Sequence, residues 1–117
     1  MRFSEYVKKR QSEEYFKFIL SNYQIRRMNW YDITSSKYIF PEQILSNMHL
    51  PWEFSHISLN PNINFKVLEE YPQLEKYIDW EMICANEGIS FEELEKHPKV
   101  IMNGFYLSFL AVLFNPL

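Results

Sequence analysis

The sequence predicts an all-α fold: short helical-hairpin repeats stacked as a small solenoid, with a longer N-terminal helix and an apolar C-terminal helix. Three observations predict it. The chain repeats itself, since windows 28–48, 52–72 and 78–98 align without gaps, their starts 24 and then 26 residues apart. A period in the twenties marks a repeat array. Capping residues and prolines fall where paired short helices would begin and end. Spacings such as Phe65, Leu68 and Glu69, with Glu-rich faces, follow a helical period rather than the alternation of a strand.

Matching positions carry matching chemistry. Trp30, Phe54 and Trp80 coincide, as do Ile33, Ile57 and Ile83. Ser36, Asn60 and Asn86 follow, then Ile39, Ile63 and Ile89, then Ile44, Leu68 and Leu94. Pro72 and Pro98 close two windows, with Met48 in that place in the other. The chain reads as one domain, 1–117. It divides into a basic segment 1–27, three repeats over 28–98, and an apolar helix or partial repeat over 99–117.

Taken in order, residues 4–21 read as one helix or two joined pieces. Ser4 and Ser12 are candidate N-caps, and Glu13 and Glu14 suit a first turn. Phe16, Ile19, Leu20 and Tyr23 recur at helical spacing. In the first window Pro41 opens the second helix, where its missing N–H costs nothing. In the second, Asn60-Pro61 ends one helix, Asn64 caps the next and Tyr71-Pro72 stops it. In the third, Asp79 caps a helix running to Asn86, and Gly88 is expected to supply a left-handed residue at the turn. Ser90 and Glu93 form a capping box, and His97-Pro98 ends the chain's sixth short helix. Each short helix is expected to run about seven to nine residues, below the length that is stable alone, so the recurring aromatic, Ile and Leu positions must hold neighbours together.

The tail changes character. Phe105 to Phe114 contains no charge, and Leu107, Phe109, Val112, Asn115 and Pro116 fall where Trp52, Phe54, Ile57, Asn60 and Pro61 fall. Three readings compete for this segment: burial within the chain, an interface for another subunit, or contact with a membrane surface. Ten residues are too few to span a bilayer.

Composition narrows the function. Hydrophobic residues are 47% and charged residues 23%, as in a folded chain. Two glycines leave no glycine-rich phosphate loop. The single Cys84 excludes an internal disulfide and fits a reducing compartment. Neither a signal peptide nor a transmembrane helix is expected. Residues 1–30 carry a net charge of +4 and residues 31–117 one of −7, which suggests head-to-body contact or an acidic partner for the head.

Pro51, Trp52, Glu53, Phe54, Ile57, Ser58, Asn60, Pro61, Asn62 and Ile63 together resemble the helical repeats of about 24 residues found in many copies in proteins of large DNA viruses that infect amoebae. Tyr71-Pro72 resembles the Asn-Pro that closes the second helix of those repeats. The 52–72 window resembles the family well. Windows 28–48 and 78–98 keep the isoleucine but lose the Asn-Pro-Asn, and the first 27 residues fall outside the resemblance. The resemblance implies a viral, non-enzymatic protein with a particle or assembly role, located in the virion or the host cytoplasm. That step is analogy.

No catalytic set emerges from the residues. Pro51 separates His49 from His56, and no cysteine joins them at zinc-ligand spacing. Cys84 beside Ile83 reads as a small buried hydrophobe, and Glu69-Glu70 and Glu92-Glu93 as solvated or capping carboxylates. No catalytic, metal or cofactor residue is assigned. Trp30 and Trp80 read as core. Trp52, which lies outside their register, is expected to be half exposed and is the first candidate for a partner contact. The other candidate binding residues are Phe105, Phe109 and Phe114 in the tail and Lys8, Lys9 and Arg10 in the head. The expected function is a non-catalytic structural or assembly protein, a minor capsid-associated component, that contacts copies of itself or capsid subunits. One alternative is a soluble adaptor binding a host protein through the repeat face. Another is a nucleic-acid-associated protein using Arg2, Lys8, Lys9, Arg10, Arg26 and Arg27.

Overall fold

In the computed structural model, which describes residues 2–101, every regular element is helical and no strand occurs among the described residues. Helix α1 spans Phe3–Asn22. It is one continuous helix with Arg2 as its N-cap residue, so neither Ser4 nor Ser12 caps it. Ser12 is instead buried. Its hydroxyl donates to the Tyr38 carbonyl at 2.7 Å and accepts from Gln43 Nε2 at 3.1 Å. Those long-range bonds offset the weak helix preference of serine.

The windows follow. The first holds α2 (Trp30–Thr34) and α3 (Pro41–Leu45). The second holds a 3-10 helix, Phe54–Leu59, and α4 (Phe65–Glu70). The third holds a 3-10 helix, Met82–Ala85, and α5 (Phe91–Lys96). A further 3-10 helix, Pro72–Tyr77, fills the spacer before the third window, and α6 (Pro98–Ile101) follows α5. The helices within the windows have four to six residues, shorter than the repeat pattern suggests.

The reason lies in a spacing of three. Aromatic, isoleucine, Ser or Asn, and isoleucine follow one another at that interval in each window, as in Phe54, Ile57, Asn60 and Ile63. A 3-10 turn places residues three apart on one side. The backbone closes accordingly: Ser36, Asn60 and Asn86 N–H donate to Ile33, Ile57 and Ile83, and Ile39, Ile63 and Ile89 N–H donate to Ser36, Asn60 and Asn86.

The second helices begin as their caps require. Asn64 Oδ1 accepts from Val67 N–H at 2.9 Å, and Ser90 Oγ accepts from Glu93 N–H at 3.2 Å. Phe40 has no polar side chain for this task. There, Gln43 Oε1 reaches back to the Phe40 N–H at 2.9 Å, and Pro41 removes one orphan donor.

The core is the recurring set. Ile33, Ile57 and Ile83, Ile39, Ile63 and Ile89, and Ile44, Leu68 and Leu94 are all buried. Two further series share their register and are also buried: Thr34, Ser58 and Cys84, and, just past the windows, Leu50, Leu74 and Val100. Each large member removed from water contributes about 1.5–3 kcal/mol, which is what lets helices of one turn persist. Helix α1 joins this core through Ile19 and a ring cluster. Phe16 stacks on Trp52 at 6.3 Å, and Tyr23 meets Trp30 edge-on at 6.5 Å.

Candidate functional site

Side-chain hydrogen bonds run from each window to the one before it. Asn60 Nδ2 donates to the carbonyls of Thr34, Ser36 and Ile39 at 2.8–3.1 Å. Asn86 Nδ2 makes the corresponding bonds to Ser58, Asn60 and Ile63 at 2.8–2.9 Å. A primary amide carries two N–H bonds, so one hydrogen in each set is shared. The amide oxygens turn inward on their own windows: Asn60 Oδ1 accepts from Asn62 N–H and Asn86 Oδ1 from Gly88 N–H. Ser36 Oγ accepts from Tyr38 N–H in the same way, and its side chain also bonds with Tyr15 of α1, since no window precedes its own. A second bond recurs as well. Glu53 N–H donates to Thr34 Oγ1 at 3.0 Å, and Asp79 N–H donates to Ser58 Oγ at 2.7 Å.

Gly88 sits where this ladder is tightest. It does not adopt a positive φ, so the left-handed role expected of it is wrong. Glycine is needed there because an added Cβ would lie 2.1 Å from the Pro61 carbonyl oxygen, a backbone atom that cannot swing aside.

Trp52 is not a surface residue. It is 4% exposed and lies between Phe16 and Trp30, with its indole N–H donating to the Asn47 carbonyl at 2.8 Å. Its place in the register is that of Met28 and Ile78, which also contact the core, and this is why it turns inward. The repeated aromatics Trp30, Phe54 and Trp80 are the half-buried ones, packed against the core edge. Phe105, Phe109 and Phe114 lie outside the described residues.

Lys8, Lys9 and Arg10 are exposed on α1. Arg10 pairs with Glu14 at 3.5 Å, an exposed contact of little energetic weight. Lys8 lines two adjoining depressions between α1 and the first two windows. One, of about 360 Å³, is bounded by Lys8, Gln11, Lys37, Tyr38, Phe40 and Asn62 among others. The other, of about 460 Å³, also includes Lys8 and Phe40, but Glu5, Glu13 and Glu42 line it too. The Lys37 ammonium lies 5.3 Å from the Tyr38 ring centroid, and Asn62 Nδ2 holds the Lys37 carbonyl at 2.8 Å. Glu42 accepts from the Tyr71 hydroxyl at 2.8 Å, and this bond raises the Tyr71 pKa.

Burial also shifts other groups. Burial raises the Cys84 thiol pKa, with Glu81 adding to the shift. His97 stacks between Phe65 at 4.2 Å and Trp80 at 5.1 Å, and its Nδ1 is buried with no partner among the described residues. Burial lowers its pKa, against an opposing pull from Glu75. No group of three or more His, Cys, Asp or Glu among the described residues is placed to hold a metal ion. Among the described residues no helix is long and apolar enough to cross a membrane. Comparison with protein-family models, curated proteins and solved structures finds no match.

Proposed function

We propose that the chain is a non-catalytic structural or assembly protein whose helical hairpins form a small solenoid and which works through contacts with other proteins. The observation that carries this reading is the asparagine ladder. Each unit offers backbone carbonyls to the unit that follows, so units add side by side, and a stack of this kind is a scaffold for surfaces rather than a pocket for chemistry. Helix α1 supports it by covering the first window, whose Ser36 has no earlier window to reach. Its outer side adds exposed Phe3, Tyr6 and Phe18, apolar area of the kind that partners cover.

The resemblance of residues 51–63 to repeats of large DNA viruses makes a minor virion component the reading of choice, with copies of itself or capsid subunits as partners. An adaptor for a host protein uses the same repeat face and is the second reading. The test is the solution mass of the purified chain, by light scattering, beside a version ending at Asn103. Self-association of the full chain, with a folded monomer for the shorter one, supports assembly through the apolar tail. A monomeric full chain beside an unfolded shorter one removes that support.

A further inference from the structure

We propose that the two depressions beside α1 form one docking trough for an extended peptide segment of a partner protein, a segment with an acidic block, an apolar centre and a basic block. The proposal rests on the protein-contact reading above and names the partner chemistry it requires.

Charge is distributed unevenly along the trough. The smaller depression is lined by Lys8 and Lys37, which come from elements far apart in sequence, and no carboxylate lines it. Neither lysine has an ion-pair partner among the described residues. Two lysines lining one concave space favour carboxylates there. The larger depression reverses the balance, because Glu5, Glu13 and Glu42 outnumber Lys8 and Lys9. Phe40 belongs to both and supplies apolar surface where they meet.

This order also selects against nucleic acid. A phosphate backbone presents the same charge throughout and would meet three carboxylates at one end. A peptide can alternate its charge and match both ends, which gives specificity more than raw affinity.

The floor is already set. Asn62 Nδ2 holds the carbonyls of Lys37 and Ile39, each at 2.8 Å. Ser12 joins α1 to the Tyr38 carbonyl and to Gln43. A ligand therefore has little backbone to order on this side, which lowers the cost of binding.

The experiment is fluorescence anisotropy with the full chain and three labelled eight-residue peptides. The first is Glu-Glu-Ser-Leu-Leu-Ser-Lys-Lys, the second has the same composition with Glu and Lys alternating, and the third replaces both lysines with glutamate. The trough predicts that the first binds about tenfold tighter than either of the others, and that Lys37→Glu removes that preference. Lys37 is exposed, so circular dichroism should show the variant folded; Lys37→Gln, giving a smaller loss, separates charge from packing. Equal binding of the blocked and alternating peptides would overturn the proposal. So would indifference to Lys37→Glu, or displacement of the first peptide by oligothymidine in a Lys37-dependent manner. Failure here with self-association intact removes the trough alone, since the assembly reading rests on the solution mass.

Discussion

Removing the Asn86 side chain should destabilise the protein more than removing that of Asn60, although the two occupy the same place in their windows. Each truncation deletes three donor contacts to the window before and one acceptor for a local N–H. What remains afterwards differs. Without Asn60, the Ile39 carbonyl keeps Asn62 Nδ2 and the Ser36 carbonyl keeps the Ile39 N–H, so the Thr34 carbonyl alone loses its donor. Without Asn86, the Asn60 carbonyl keeps the Ile63 N–H, but those of Ser58 and Ile63 both lose theirs, because Gly88 stands where Asn62 would help. A buried polar group left unpaired costs about 1–3 kcal/mol and each lost bond about 1 kcal/mol. Asn60→Ala should therefore cost about 2–3 kcal/mol and Asn86→Ala about 3–5 kcal/mol. Either is a large share of the roughly 5–15 kcal/mol that holds such a domain. Urea unfolding followed by tryptophan fluorescence measures both, with exposed Gln11→Ala as a control expected within about 0.5 kcal/mol of the parent. Equal costs, or a greater cost at Asn60, would refute the reasoning.

Gly88→Ala should lower stability by about 1–3 kcal/mol, read as a drop in melting temperature, because the new methyl meets the Pro61 backbone. His97 should make stability depend on pH. Its folded-state pKa is lowered, so the neutral form belongs to the fold, and stability should fall as pH drops below about 6.5, the unfolded value. It should level off once the folded-state group is protonated too. His97→Phe keeps a ring between Phe65 and Trp80 and should flatten that slope in melts taken at stepped pH. Cys84, buried and with a raised pKa, should resist a thiol-reactive disulfide reagent at neutral pH and react fully in denaturant.

The sequence makes some of this legible and hides the rest for physical reasons. Local chemistry is readable. Asn64 and Ser90 each cap the helix that follows, Pro41 opens α3, and Tyr71 and His97 end α4 and α5. The isoleucine series is buried because its register repeats. The helix type was also available, since the interval of three from Phe54 to Ile63 belongs to a 3-10 turn rather than to a longer α-helix. Long-range partners are another matter. Nothing near Ser12 in sequence points to the Tyr38 carbonyl 26 residues away. Gly88 reads as a turn glycine, yet what fixes it is the Pro61 oxygen, which only the folded chain brings close. Trp52 reads as half exposed only beside Phe54; its partners in register are Met28 and Ile78, which also contact the core. The alignment of Ser36, Asn60 and Asn86 finds the ladder's positions but not its direction. That depends on which window lies beside which.

The most direct test of the account is hydrogen exchange at side-chain amides, followed by NMR on isotope-labelled chain. The ladder predicts that the Nδ2 hydrogens of Asn60 and Asn86 are protected almost as strongly as the core backbone, while those of exposed Gln11 exchange at the rate of a free side chain. Fast exchange at both asparagines in an otherwise folded chain would contradict the claim that they join the repeats.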